Sequence, residues 1–181
     1  MTEREQQEQE IATIRDREVK LRLSDADVLR LSEKAGIAGL TIGELLTSFI
    51  GDLVYGTYTN GSDERMYANQ WFDRCWFGMF PEKTFLRYLL EGDELSVILF
   101  NEQEIEQGKE WLAEMEASPD KDSDAQEEIA DLKADIAFWQ ESIDDTFACF
   151  AEWCGDPRRT LDEEMKKVRE WKNSYNSMIG K

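Results

Sequence analysis

The chain has 181 residues and a formal net charge of −19, from 40 Asp and Glu against 21 Lys and Arg, and it contains no histidine. Without an imidazole, Ser-His and Cys-His nucleophilic arrangements are excluded, and no side chain has an ordinary pKa near neutrality. Six Trp, nine Phe and five Tyr supply enough apolar surface for a real core, so one folded domain, or one domain with an appendage, is expected rather than a disordered chain.

No apolar run reaches the length a bilayer needs, and the opening "MTEREQQEQE" lacks a basic-then-apolar leader, so a cytoplasmic protein with no membrane role is expected. Cys75, Cys149 and Cys154 are odd in number and irregularly spaced, which fits buried, reduced thiols, and a zinc site would need a fourth soft ligand. There is no glycine-rich phosphate loop, and adjacent carboxylates such as Asp144 and Asp145 are expected by chance at this acidity. "DKDSDAQEEIAD" sets Asp120, Asp122, Asp124, Glu128 and Asp131 at EF-hand spacing. However, Ala125 replaces the turn glycine, the last ligand is Asp rather than Glu, and a helix from about Asp124 would straighten the loop. The expectation is a non-enzymatic protein with no cofactor and no metal.

In chain order, residues 1–17 form a polar arm with only Ile11, Ala12 and Ile14 to bury. Residues 18–58 form a compact unit. It opens on a strand alternating Val19, Leu21 and Leu23 with Lys20 and Arg22, and continues as two helices capped by Ser24 or Asp25 and by Thr41. Residues 59–100 are an aromatic-rich helical segment. Asp63 is a candidate cap for a helix running to about Gly78, and Pro81 suits the first turn of another helix that Gly92 ends. "LSVILF" at 95–100 fits a short buried strand or the start of a helix.

Residues 101–181 read as an acidic helical bundle. Asn101 with Glu104 forms a capping box for a helix carrying Ile105, Leu112 and Met115. "SPDKDSD" is a loop, and a long helix from near Asp124 aligns Ile129, Leu132, Ile136, Trp139, Ile143, Phe147 and Phe150 on one stripe. Thr160 caps a last helix lined by Leu161, Met165, Val168, Trp171 and Tyr175, and three such helices predict antiparallel packing. Core packing accounts for the aromatic side chains.

Charge is uneven along the chain. Residues 102–156 hold 18 acidic side chains against Lys109, Lys121 and Lys133, whereas Arg158, Arg159, Lys166, Lys167, Arg169 and Lys172 gather in a short basic stretch. Asp120, Asp122, Asp124, Glu127, Glu128, Asp131, Asp135, Asp144 and Asp145 are candidates for an acidic partner-binding face.

The stretch "VKLRLSDADVLRLSEKAGIAGLTIGELLTSFIGDLV" resembles a ribbon-helix-helix unit, a small dimeric DNA-binding fold. The resemblance implies a homodimer whose strands pair, with Lys20 and Arg22 entering the major groove. It also implies that the amides at Thr41 hold a DNA phosphate, and that Ile42, Leu45, Leu46, Phe49, Ile50 and Leu53 supply the dimer core. Electrostatics oppose tight duplex binding by this surface alone, since a dimer would set four such cations against a total of about −38. The expected fold is therefore mainly α, with an N-terminal strand-helix-helix unit, an aromatic helical middle and a C-terminal antiparallel bundle.

The phrase "NGSDERMYANQWFDRCWFGMFPEKTFLRYLL", together with strong acidity and no histidine, looks like small proteins of Gram-positive mobile elements, among them type II-A anti-CRISPR proteins. That resemblance implies inhibition of Cas9 or of the Cas9–guide RNA complex, and it assigns no site residue. Cas9 grips nucleic acid in cationic channels and reads its PAM with arginines, for which carboxylates can substitute as partners. The alternative expectation is a DNA-binding transcriptional regulator of a mobile element.

Overall fold

A computed structural model describes residues 2–118 and 123–180. The chain is mainly helical, and no strand occurs among the described residues. Two compact units are present: residues 1–82 with 178–181, and residues 83–177. The division therefore falls inside the aromatic-rich segment 59–100.

The first unit opens with α1 (Glu3–Ala12), where Thr2 and Glu5 form a reciprocal capping box. Residues 14–24 have no regular structure, so the expected N-terminal strand is not formed. The physical reason is that an extended segment needs a neighbour for its N–H and C=O groups, and one copy of this chain offers none. Arg15 and Arg17 instead donate to the carbonyls of Ile179 and Met178.

The two helices after it follow the sequence reading. Ser24 caps α2 (Asp25–Ile37) by accepting from the Asp27 amide at 3.2 Å. Thr41 caps α3 (Ile42–Leu53), accepting from the Glu44 amide at 3.2 Å. At Gly51 of α3 a Cβ would collide with the Tyr58 carbonyl oxygen, so the returning loop closes only over glycine. Buried Asp52 fixes that loop. It accepts from the Asn60 backbone N–H at 2.8 Å and from the Asn60 side-chain amide at 2.7 Å, while the same amide donates to Ser48 at 2.7 Å.

Gly61, rather than Asp63, stands at the N-cap of α4 (Ser62–Arg74), with Asp63 in its first turn. The helix stops at Arg74, short of Gly78, and α5 (Trp76–Met79) is a single turn. Among the described residues of this unit, only Ala35, Asp52 and Ala68 are buried. Val28 and Leu29 are at least 40% exposed, as are Phe49 and Ile50, which the resemblance assigns to a dimer core, and Trp71, Phe72, Trp76, Phe77 and Phe80. Core packing does not account for those aromatics within this chain.

Pro81, in the last residues of the first unit, proves to lie ahead of the next helix, which belongs to the second unit. Thr84 caps α6 (Phe85–Glu91) by accepting from the Arg87 amide at 3.1 Å, and Gly92 ends it. "LSVILF" resolves as the start of α7 (Leu95–Ala117), because Leu95, Ile98 and Leu99 all reach the core at steps of three and four. Asn101 accordingly sits inside the helix, buried, and donates to Ser142 at 3.0 Å rather than capping. The long helix α8 (Ser123–Cys154) runs antiparallel to α7. Glu116 pairs with Lys133 at 2.8 Å, Gly108 faces Leu132 and Ile136, and Asn101 meets Ser142. A Cβ on Gly108 would lie 2.9 Å from Ile136, so the two helices touch backbone to side chain there.

The core joins α6, α7 and α8 to α9 (Leu161–Ile179) through Phe85, Leu89, Ile98, Ile105, Ile143, Phe150, Met165 and Val168. Phe85 meets the Phe147 and Phe150 rings at 5.5 and 5.3 Å, and Tyr88 meets Trp153 at 5.7 Å. Leu161, Met165 and Val168 are α9 residues that reach the core, while Tyr175 is exposed and stacked on Trp171 at 5.7 Å.

Glu164 is buried at the head of α9. It accepts from the Phe85 amide at 2.8 Å, from Arg159 at 2.8 Å and from Lys167 at 2.6 Å, so one carboxylate ties the start of α6 to the start of α9. Burial pushes this carboxyl up, and the Lys167, Phe85 and Arg159 donors outweigh it, leaving the pKa below the ordinary 4.5. The sign follows: its stabilisation is complete above pH 4.5 and is lost as pH falls through the depressed value. Glu164→Ala strands two cations and an amide, and should cost about 3 kcal/mol in urea denaturation at neutral pH. The deficit relative to the parent should shrink as the pH is lowered below the glutamate range, which the same titration repeated in acid checks.

Candidate functional site

The apolar stripe of α8 fixes the orientation of its charges. Ile143 and Phe150 are buried, and Ile129, Leu132, Ile136, Trp139 and Phe147 are half-buried. At 100° per residue, Asp124, Glu127, Glu128, Asp131, Asp135 and Asp145 fall within about 100° of arc that shares no residue with this stripe. All six are exposed, and none has an ion-pair partner among the described residues. Asp144 is also exposed but lies about 100° outside that arc, where its carboxylate accepts from Gln140 at 3.0 Å. Asp120 and Asp122 lie outside the described residues.

From Asp124 to Asp145 the row spans about 30 Å at 1.5 Å per residue. Successive carboxylates at three- and four-residue steps are within one screening length of each other at physiological salt, about 8 Å. Each like-charge pair costs the helix roughly 0.2–0.5 kcal/mol. Asp124–Glu127, Asp124–Glu128, Glu127–Asp131, Glu128–Asp131 and Asp131–Asp135 are such pairs. The face is thus an anionic surface under mutual repulsion, held helical by the packing beside it. The structure adds a second row that the sequence reading had not singled out: Glu106, Glu110 and Glu114, exposed at four-residue steps on α7. Their spacing was the available signal.

The basic stretch after α8 is largely spent inside the unit. Arg158 grips Asp156 through two nitrogens at 2.9 and 3.0 Å, and Arg159 and Lys167 bind Glu164. Arg169 reaches Glu102 at 2.7 Å. The Arg158 hydrogen bonds hold the Asp156 carboxyl down at about 2. These cations neutralise their own neighbours and leave the α8 face uncompensated.

Lys20 and Arg22 are exposed in the irregular segment 14–24, and neither has a partner among the described residues. Thr41 stands at the start of α3, as expected, but its surroundings differ from a phosphate cradle. Glu44 turns back onto the cap, accepting from the Thr41 amide and hydroxyl at 2.8 Å each. Those bonds from the Thr41 backbone and side chain hold the Glu44 carboxyl below its ordinary range, so an anion already occupies the helix start. Lys20, Arg22 and Thr41 belong to the first unit and the acidic row to the second.

No group of His, Cys, Asp or Glu among the described residues could hold a metal ion. Asp124, Glu128 and Asp131 of the EF-hand-like phrase lie within continuous helix, where they cannot wrap a calcium ion. Cys75 and Cys154 are half-buried and Cys149 is exposed, so the expectation of three buried thiols holds for none of them in full. No single helix among the described residues is long and apolar enough to cross a membrane. Comparison of the chain with protein-family models, curated proteins and solved structures finds no match.

Asp131→Lys should replace repulsion by attraction toward Glu127 and Asp135. Thermal unfolding followed by circular dichroism should show the variant more stable by about 0.5–1 kcal/mol, with the gain fading in high salt. An unchanged or lowered midpoint would mean that the carboxylates are not straining the helix.

Proposed function

We propose that this chain is a non-enzymatic inhibitor of a nucleic-acid-handling effector, most concretely an anti-CRISPR protein. It binds Cas9 or the Cas9–guide RNA complex in the cytoplasm and obstructs target DNA binding or cleavage. The single observation that carries the reading is the exposed carboxylate row on one continuous helix, without an ion-pair partner among the described residues. Arginines that grip phosphate accept carboxylate in the same bidentate geometry. A rigid helix presents several of these groups without first having to order them. Long-range attraction between an anionic face and a cationic channel also speeds encounter and makes association sensitive to salt. The repulsion stored along α8 is relieved on contact with cations.

In a Cas9 cleavage assay, the purified protein should suppress cutting at low ionic strength and progressively less as salt rises. The quadruple variant E127K/E128K/D131K/D135K should lose most of that suppression while remaining helical. Full cleavage at large molar excess, across several Cas9 orthologues, would end this reading.

A second reading draws on the N-terminal segment. Val19, Leu21 and Leu23 are each at least 50% exposed in an unpaired stretch, followed by two capped helices. Pairing of two such stretches would give a ribbon-helix-helix homodimer that regulates transcription through Lys20 and Arg22 on DNA. Gel shifts with the DNA upstream of the coding sequence separate the two readings. A specific shift should vanish in the K20A/R22A variant, and a shift that survives would reject this use of the segment.

A further inference from the structure

The aromatic side chains of the first unit form a second surface that neither reading above employs. Six of them, Tyr67, Trp71, Phe72, Trp76, Phe77 and Phe80, are 63%, 48%, 41%, 76%, 54% and 56% exposed. Ring contacts join five of them in two groups, and Tyr67 shares a hollow with Trp71. Trp71 contacts Phe77 at 6.1 Å, Phe72 contacts Phe77 at 5.3 Å, and Trp76 contacts Phe80 at 4.7 Å. At about 150–250 Å² per aromatic side chain, their exposed fractions amount to roughly 700 Å². That exceeds the largest apolar patch of an ordinary monomer, roughly 300–600 Å², and approaches the ~800 Å² that each partner contributes to a stable complex.

Three features of the patch favour a second copy of this chain as its cover. First, residues 66–80 contain one acid and one base, Asp73 and Arg74, so this surface is neutral on a chain of −19. Two identical surfaces approach without repulsion only where each is uncharged, and a basic partner would be drawn to α8 instead. Second, the patch carries both halves of a fit. A hollow of about 400 Å³ is lined by Tyr67, Gln70, Trp71, Arg74 and Cys75, and Trp76 stands beside it as the most exposed of the six. A two-fold contact requires this arrangement, in which residue i meets j and j meets i. Third, the hollow suits an indole, with aromatic walls and the Arg74 guanidinium available to stack on its face.

We propose that two copies of the chain meet through α4 and α5, with Trp76 of each entering the Tyr67–Trp71–Arg74 hollow of the other. This contact is separate from strand pairing by residues 18–23 and does not depend on either function.

Sedimentation velocity on the full chain across a concentration series tests it. The protein should self-associate at micromolar concentration, and Trp76→Glu should weaken that association at least ten-fold. Tyr67→Ala, on the hollow side, should weaken it similarly. Both side chains are exposed, so helical content by circular dichroism should be unchanged in each variant. Trp111→Glu alters a tryptophan that is 65% exposed on α7 and should leave association as it was. A monomeric parent protein up to about 100 μM would overturn the proposal, as would a Trp76→Glu protein that associates as tightly as the parent. A monomer that instead binds zwitterionic phosphatidylcholine vesicles through Trp76 would also overturn it, identifying the patch as a lipid-contacting face.

Discussion

The seam between α7 and α8 governs the rest of the second unit, because it decides which side of α8 faces outward. Ile143 is buried beside Ile105 of α7, and Gly108 lets Ile136 approach the α7 backbone. Fully burying a side chain of that size stabilises by about 1.5–3 kcal/mol. The five like-charge pairs on the flanking arc oppose with about 1–2.5 kcal/mol altogether. Burial wins, so the helix stays continuous and presents its carboxylates in a row. The same seam makes the acidity useful: on a disordered segment each charge would have to be ordered at the moment of contact.

The two units solve the packing problem differently. Residues 83–177 bury Phe85, Leu89, Ile98, Phe150 and Val168 almost completely and satisfy a buried carboxylate from three directions. The first unit relies on caps, the Asp52–Asn60 bonds and close backbone approaches, while most of its large apolar side chains remain in water. A body of about eighty residues with two buried alanines has little hydrophobic stabilisation of its own. The proposed association between copies would supply the missing burial without a change in the helices.

Much of the helical pattern was legible in the residues. The Ser24, Thr41 and Thr160 caps, the Gly92 stop and the α8 stripe followed from local chemistry and a 3.6-residue period, signals that act within a few residues. Errors arose where the outcome hung on distant partners. Asn101 has the spacing of a capping box, yet the run before it also has helical period, and Ser142 on another helix satisfies its amide. The alternation at 18–23 is a genuine strand pattern, but alternation cannot provide a neighbour. Aromatic content promised a core without saying which rings would share it. The acidic row was visible as composition, whereas its freedom from internal ion pairs depended on where Arg158, Arg159, Lys167 and Arg169 turned, which no local rule encodes.

The Asp52–Asn60 pair has a chemical lifetime as well as a geometry. Asn60 precedes Gly61, the context in which a side-chain amide is most readily hydrolysed, and both hydrogens of that amide are engaged by Asp52 and Ser48. Exchange of the nitrogen for oxygen would set one carboxylate against another at hydrogen-bonding distance, where both cannot stay ionised. Ageing of a single residue would therefore open the loop over Gly51 and loosen the first unit, while the buried carboxylate of Glu164 held the second intact.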